Sequence, residues 1–343
     1  MPAYGVHLTR RAARTTRLPG LPDPVGLAGV LDGLDRRLTP ADAPGAAPAR
    51  AWTWEGEDAS TASWYPQGVT TSADASPSGR VAGREIVMTS WYSTRKGEHN
   101  QGSRISVLDV EAERYQHVLV VRPTKDGPRP LRIHAGGLLW YGPHVHLAAT
   151  RRGLYTAHLD DVVEVEPRTE TAGHRFVLPV RYAYDAQTAE GTEPLRYSFC
   201  SVDREADPPE LLVGEYGTGA QTTRIAHWPL DPETGLLAGG EEDTVAPLSL
   251  DERGVGHMQG VAKVGGRYYA TVSRGTRKRG RVYVGVPGRM RPYRWALPPG
   301  PEDISYWPQR DELWTLTEHP GQRYVVAMER ARLRRFPWPW RHR

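Results

Sequence analysis

The amino-acid sequence predicts an all-β protein built from internal repeats, and three observations support this fold class. First, 36 glycines and 30 prolines interrupt a chain of 343 residues every few positions, which favours short strands over long helices. Second, from Ala49 onward, short runs of β-forming residues are separated by Gly, Pro and Asp, as expected of strands joined by turns. Third, several segments superpose on one another without a gap, which indicates a repeat architecture.

Residues 1–48 precede the repeats and are rich in Pro, Ala and Arg. One amphipathic helix is predicted from about Val25 to Leu38, and the rest is expected to be irregular, so we predict an N-terminal appendage. Thr9-Arg10-Arg11 is similar to a twin-arginine start, but Ala12–Pro24 lacks the hydrophobic core of an export signal. We therefore expect a cytoplasmic protein.

The repeat is defined by three gapless copies, each running from an opening motif to the Ser or Thr that closes a strand. These copies are Gly137–Thr150, Gly260–Ser273 and Ile304–Thr317. A fourth copy begins at Pro66 and reaches Ser90 after a longer turn, and Glu210–Leu230 supplies strands for a fifth. Five repeats of three or four strands predict a single β-propeller over residues 49–330.

A propeller must close its ring, and the last repeat lacks an outer strand. Residues 49–56 form an extended run with no other partner, so we predict that they complete the fifth blade. A six-bladed ring is the alternative if Phe176–Tyr184 opens an extra blade. Residues 331–343 are expected to form a basic, aromatic tail.

The candidate site follows from the repeat, because the opening motifs and the loops after the second strands meet at one face of a propeller. His134 and His257 occupy equivalent repeat positions, and Gln67, Gln259 and Asp303 share another. The expected catalytic residues are His257, His134, Glu302 and Asp303. The expected substrate-binding residues are Gln67, Gln259, Trp91, Arg151, Glu215, Arg274 and His319. Gly68, Gly137 and Gly260 are expected to allow close packing of strands near the axis.

The repeats resemble propellers of the gluconolactonase and strictosidine-synthase type in two features: opening motifs with Gly after Gln or His, and the turn Pro301-Glu-Asp303. The resemblance is limited to these turns, and it implies an axial divalent ion held by a carboxylate and asparagines. This chain contains one asparagine, Asn100, so that site is not carried over. The pair His144 and His146 aligns with apolar blade-packing and strand-end positions of the other repeats, so no metal or other cofactor is predicted there. An axial ion is left open.

Several other classes are disfavoured by composition. Cys200 is the single cysteine, which excludes an internal disulfide framework, and no apolar run is long enough to span a membrane. Only four of the 44 basic residues are lysines, so we attribute the basic isoelectric point to codon composition and expect no nucleic-acid partner. We also expect no stable membrane association and a monomeric protein. Glycoside cleavage by three carboxylates is disfavoured because acids open only the fifth repeat.

The remaining polar set predicts metal-independent acid–base chemistry, by an isomerase, lyase, cyclase or hydrolase, on a small anionic molecule. His257 would be the general base or acid and His134 its partner, with Glu302 and Asp303 orienting them. The glutamines would bind polar substrate atoms, and the arginine rim would bind a phosphate or carboxylate. The alternative is a non-catalytic propeller that serves as a platform for a ligand or a protein.

Overall fold

The computed structural model describes residues 4–13, 21–240 and 243–335. In chain order, the strands are β1 (Val6–Ala12), β2 (Arg36–Pro40), β3 (Pro48–Trp54), β4 (Trp64–Thr71), β5 (Ile86–Ser93), β6 (Ser103–Asp109), β7 (Arg114–Thr124), β8 (Gly127–Pro130), β9 (Leu138–Tyr141), β10 (His144–Ala148), β11 (Gly153–His158), β12 (Val163–Glu164), β13 (Phe176–Thr188), β14 (Phe199–Asp203), β15 (Glu210–Gly214), β16 (Ile225–Pro229), β17 (Thr244–Val245), β18 (Ser249–Asp251), β19 (Met258–Val264), β20 (Arg267–Val272), β21 (Gly280–Gly285), β22 (Arg291–Leu297), β23 (Pro301–Trp307), β24 (Glu312–Thr317) and β25 (Val325–Glu329). The described helices are α1 (Gly26–Asp32), α2 (Gly56–Ser60), α3 (Ser72–Ala75) and α4 (Arg330–Arg335). The predicted tail lies mostly outside the described residues.

The strands pair into antiparallel sheets arranged around one axis, as in a β-propeller. From the axis outward, the first sheet is β4, β5, β6, β7, and the second is β9, β10, β11, β13. The third is β14, β15, β16, β18, the fourth is β19, β20, β21, β22, and the fifth is β23, β24, β25, β3. Each innermost strand packs against the next, and β23 packs against β4, so the ring of inner strands is closed. The fold is an all-β propeller.

The fifth sheet joins the two ends of the described chain. Its outer strand, β3, pairs antiparallel with β25, with Val325 opposite Trp52 and Val326 opposite Ala51. Trp52 stacks on Trp314 of β24 at a ring-centroid distance of 5.5 Å. Residues from before the first repeat therefore supply the strand that the last repeat lacks.

The segment expected to be an irregular appendage contributes two strands and a helix to the body of the protein. β1 pairs with β13 and β17, and β2 pairs with β3 and β7. Val6, Leu8 and Leu38 are buried, because their alternation with polar residues places them on one face of a strand. The predicted helix ends early, at Asp32, and Gly33 follows it.

The segment Phe176–Tyr184 does not open a sheet of its own. It lies in β13, whose first part pairs parallel with β7 and whose second part pairs antiparallel with β11 and β1. This long strand bridges the outer edges of the first and second sheets. Among the described residues, no helix combines the length and apolar character that crossing a bilayer requires.

Glycines allow the inner strands to approach closely at the axis. A Cβ atom on Gly137 would lie 2.1 Å from the backbone nitrogen of Cys200, and one on Gly260 would lie 2.6 Å from the Cα atom of Asp303. A Cβ on Gly68 would lie 2.6 Å from the backbone nitrogen of Leu138. Any larger residue would push neighbouring inner strands apart.

Candidate functional site

Two glutamates meet at the end of the axis where the inner strands begin. Glu302 lies on β23 and is 2% exposed, whereas Glu318 follows β24 and its side chain is 19% exposed. Their carboxyl groups lie near enough to each other for one proton to be shared in a hydrogen bond between them. The Gln259 amide donates to Glu302 Oε1 at 2.8 Å, and the Gln67 amide donates to Glu318 Oε2 at 3.0 Å. Four side chains from three sheets thus form one chain of hydrogen bonds.

A β-bulge positions three of these four side chains. The pairing of β4 with β5 shifts register between Pro66 and Val69, and that of β23 with β24 shifts between Pro301 and Ile304. The pairing of β19 with β20 shifts between Met258 and Gly260. A bulge redirects the side chain of the extra residue. In each case, the redirected residue is the Gln or Glu that reaches the mouth of the propeller.

The carboxyl pair holds a proton more tightly than isolated glutamates do. Burial raises the pKa of Glu302 well above its ordinary value, and the negative charges of Glu318 and Asp303 raise it further. Burial also raises the pKa of Glu318, although His319 and Gln67 oppose this rise. A negative charge on one carboxyl group opposes ionisation of the other, so the pair favours the state that holds one proton. It can both donate and accept a proton at the mouth.

Asp303 lies next to Glu302 but performs a different task. Its Oδ2 accepts hydrogen bonds from the backbone nitrogens of Val69 at 3.3 Å and Leu138 at 3.2 Å. Its Oδ1 accepts one from the nitrogen of Ile304 at 3.0 Å. Asp303 is fully buried, and it ties together the inner strands of three sheets. The structure therefore places this carboxylate on the backbone rather than beside a histidine.

Each expected catalytic histidine is exposed at the mouth and faces a tyrosine. Tyr216 OH lies 2.9 Å from His257 Nδ1, and the His134 ring centroid is 4.4 Å from that of Tyr92. Although His134 is exposed as a residue, partial desolvation of its ring, which packs against Tyr92, lowers its pKa. Among the described residues, no hydrogen bond joins either imidazole directly to Glu302 or Asp303, so proton exchange with the pair would pass through a tyrosine or substrate.

The two tyrosines link the histidines to the carboxyl pair electrostatically. Burial, together with the charges of Glu318 and Glu302, raises the pKa of Tyr92 to about 12. Burial and the same two charges raise the pKa of Tyr216. Both phenols therefore keep their protons at neutral pH and can donate hydrogen bonds to a bound oxygen.

A cationic pocket of about 610 Å³ opens beside Tyr92 and His134, between the first and second sheets. Its basic lining residues are Arg95, Lys96, Arg132, Arg151 and Arg152. None of its other described lining residues is an acid. Guanidinium groups bind phosphate and carboxylate through paired hydrogen bonds, so the pocket is suited to an anion. Arg151 is the member that the repeat analysis singled out.

Two expected ligand-binding residues lie away from the mouth. Trp91 is fully buried and makes an edge contact with Trp54 at a centroid distance of 4.8 Å. Glu215 is also fully buried, and Arg224 donates to both of its carboxylate oxygens, at 2.8 and 3.0 Å. Both side chains face the packing between strands, because neighbouring strand residues point to opposite sides.

The other expected residues lie near the mouth. Arg274 is exposed in the loop between β20 and β21. His319 Nδ1 lies 3.6 Å from Glu318 Oε1. Glu318 and Tyr92 were not singled out from the sequence. The signal for Glu318 was the need of the buried Gln67 amide for an acceptor.

Among the described residues, the side chains that are spaced like metal ligands lie away from the carboxyl pair. The group of three potential ligands found there is Asp203, Glu210 and His227, in the third sheet. Asp203 Oδ2 already accepts a hydrogen bond from Lys263 Nζ at 2.6 Å. His146 hydrogen-bonds through both ring nitrogens, to Thr156 Oγ1 and the carbonyl of Gly235. Neither ring nitrogen of His146 is therefore free to bind a metal.

No family model matches the sequence, and no curated protein matches it. Similar solved structures include the GH43_1 enzyme from Xanthomonas citri complexed with xylotriose, at 13% identity over 78% of this chain and 88% of that chain, with a TM-score of 0.38. Another is CoXyl43, a GH43 beta-xylosidase/alpha-arabinofuranosidase from a compost microbial metagenome, at 12% identity over 85% of this chain and 94% of that chain, with a TM-score of 0.37. A third is the beta-propeller domain of Cps50 (Swd1) from Myceliophteria thermophila, at 10% identity over 86% of this chain and 99% of that chain, with a TM-score of 0.32. At this level of similarity, the strand pairings and side chains of this chain itself define its fold and site.

Proposed function

We propose that this protein is an enzyme that uses general acid–base catalysis, most simply hydrolysis, on a small anionic molecule bound at the mouth of a five-bladed propeller. The five antiparallel sheets would be the blades. The observation that supports the activity is the close pair Glu302 and Glu318 at the end of the axis, where burial raises both pKa values, and we infer that the pair shares one proton. Groups whose pKa values are displaced by burial and by a like charge are concentrated at functional sites.

The two carboxyl groups are not equivalent, and this difference assigns their roles. Glu318 is accessible and would take a proton from the attacking water, while the shared proton passes from the pair to the leaving group. Glu302 is buried and would store that proton. Gln259 and Gln67 each bind one oxygen of the pair, which fixes the carboxyl planes. Because the carboxyl groups are in contact, this arrangement differs from that of inverting glycosidases, whose acids lie about 6.5 to 9.5 Å apart.

Anion recognition would come from the cationic pocket, which shares Tyr92 and His134 with the approach to the carboxyl pair. A substrate with its anionic group against Arg151 and Arg152 would extend past Tyr92 toward Glu318. Tyr92 and Tyr216 would donate hydrogen bonds to its oxygens, and His257 and His134 would act as further proton carriers through these phenols. A metal is not required for this proton transfer, and EDTA treatment should leave the rate unchanged.

The test is hydrolysis of a panel of 4-nitrophenyl conjugates that carry a phosphate, sulfate, glucuronide or hemisuccinate group. E318Q and E302Q should each lower the rate on the best conjugate by about a hundredfold. E329Q is the matched control, since Glu329 is exposed at the end of β25, and it should retain the wild-type rate. Equal rates in all four proteins would refute the acid–base role of the pair.

A binding platform is the second candidate, and one observation favours it. The described lining of the cationic pocket includes neither Glu302 nor Glu318, so the pocket could hold an anion without chemistry. In that case, inorganic phosphate should bind by calorimetry and R151E should weaken it, while no conjugate is turned over. Turnover that depends on Glu318 would exclude this candidate.

A further inference from the structure

The fourth sheet and its loops carry a concentration of positive charge that the average over the chain conceals. Residues 253–301 contain eleven of the 44 basic residues and no Asp or Glu. Their formal net charge is therefore +11, whereas the remainder, with 33 basic and 40 acidic residues, has a net charge of −7. Such a single-sign surface attracts polyanions.

Much of this charge is accessible along the outer part of the sheet. The exposed basic residues in the two loops and on β22 include Arg274, Arg277, Lys278, Arg279, Arg289 and Arg294. Within the described ranges, none of these six forms an ion pair with a carboxylate, in contrast to Lys263, which binds Asp203. β22 has seven residues, so the basic stripe extends over roughly 20 Å, from the mouth toward the opposite end of the sheet.

An exposed tryptophan lies within this stripe. Trp295 is 64% exposed and follows Arg294 on β22, the edge strand of the sheet. Its φ angle is +57°, a left-handed conformation that a bulky residue rarely adopts. The strain is therefore maintained by the surrounding structure, and such strain is found at ligand-contacting sites.

A β-bulge holds the indole outward. The pairing of β21 with β22 shifts register between Gly280 and Val282, opposite Arg294 to Ala296. The backbone nitrogens of Ala46 and Ala47 donate to the carbonyls of Trp295 and Ala296, each at 3.0 Å. Both sides of the bulge are thus fixed by backbone hydrogen bonds, and the side chain is redirected to solvent between basic neighbours.

The spacing of apolar and basic groups indicates the partner. Val286, the other exposed apolar residue of this hairpin, is 43% exposed but is separated from Trp295 by Arg289, Arg291 and Arg294. The two therefore form no continuous apolar patch of the kind that inserts into a bilayer. An isolated aromatic ring among arginines instead matches a polymer that alternates phosphates with planar bases.

We propose that the stripe centred on Trp295, Arg289 and Arg294 binds single-stranded nucleic acid. The arginines contact phosphates and the indole stacks on one base. Because duplex bases are already stacked, duplex DNA should bind more weakly than a single strand. This surface lies on the outer strand of the fourth sheet and uses none of the residues of the carboxyl pair, so it is independent of the proposed acid–base activity.

The test is fluorescence anisotropy of the full-length protein with a labelled oligothymidine of about 15 nucleotides. The wild type should bind, and its affinity should fall steeply between about 50 and 200 mM salt. R289E/R294E should bind at least about tenfold more weakly, with a shallower dependence on salt. W295A should lose about tenfold in affinity with little change in that dependence, whereas W295F should bind like the wild type because it keeps an aromatic ring.

The matched control is R122E/R129E, which makes the same charge change on the exposed hairpin of β7 and β8 and should bind like the wild type. Melting temperatures should show that all variants are folded. Absence of wild-type binding at low salt would overturn the proposal, as would an equal loss in the control. Tighter binding to phosphatidylserine vesicles or to duplex DNA, unaffected by W295A, would also overturn it.

Discussion

Replacing Glu302 by glutamine should stabilise the protein, and the gain should grow as the pH rises. Protonated Glu302 accepts a hydrogen bond from Gln259 and donates one to Glu318. Glutamine can reproduce both bonds, because its carbonyl oxygen accepts and its amide nitrogen donates. E302Q therefore resembles the protonated glutamate at every pH and never acquires a buried charge.

The magnitude follows from linkage between protonation and folding. Burial raises the pKa of Glu302 in the folded protein, while the unfolded chain has the ordinary value of about 4.3. A raised pKa contributes stability that is fully present below the unfolded value and is lost as the pH rises toward the folded value. Between these two values, the wild-type unfolding free energy should fall relative to E302Q by about 1.4 kcal/mol per pH unit. The difference should therefore grow steadily between the unfolded and the folded pKa and become constant above the folded value.

Urea denaturation at about pH 5, 6 and 7 measures this difference directly. The control is E111Q, because hydrogen bonding to Arg80 lowers the pKa of this exposed glutamate, so it is ionised in both states over this range. Its difference from wild type should not change with pH. If the E302Q difference is equally flat, Glu302 is ionised in the folded protein and the pair does not share a proton.

Four further outcomes are expected. By urea denaturation, D303A should lower the free energy of unfolding by about 3 to 9 kcal/mol, since it leaves three buried N–H groups without an acceptor at about 1 to 3 kcal/mol each. D303N should lower it less, because the amide oxygen can still accept from two of these groups. G137A should lower stability by about 2 kcal/mol or more in the same assay, because its Cβ would strike the backbone of Cys200. R151E/R152E should weaken binding of inorganic phosphate by calorimetry without lowering the melting temperature, since both side chains are exposed. Deletion of residues 1–57 removes β3 and should cause aggregation, measured by light scattering, because it exposes the edge of β25.

The propeller could be predicted because its signal is repeated, whereas single elements at the start of the chain could not. When Gly137–Thr150 and Gly260–Ser273 are aligned without a gap, each matching position adds support for the repeat. β1 offers only Val6 and Leu8 as buried members of a short alternation, within a region whose Pro, Ala and Arg content is typical of irregular structure. Its partner, β13, lies more than 170 residues later, and nothing in the local sequence indicates that pairing.

The net charge conceals a feature of the sequence for a related reason, since a chain-wide average removes position. The net charge of +4 combines a region of 49 residues without acids and a remainder that is acidic. Codon composition explains a preference for arginine over lysine, but it does not explain the absence of Asp and Glu from residues 253–301. Sequence alone could have shown this segregation. The exposure of Trp295 could not be read from it, because the bulge depends on the pairing of β21 with β22.

The same dependence on pairing explains why the repeat alignment gave Glu302 and Asp303 the same expected role. A gapless alignment makes Gln67, Gln259 and Asp303 equivalent, because each precedes the residue that packs at the axis. In the structure, the residue of the fifth sheet that binds Gln259 is instead Glu302, which lies beside Asp303 in the register shift between β23 and β24. Asp303 then turns inward and accepts three backbone N–H groups that no water could satisfy. Hydrogen bonds to neighbouring inner strands distinguish the two acids, so the alignment could place acids at the axis but could not say which of the two would remain free for chemistry.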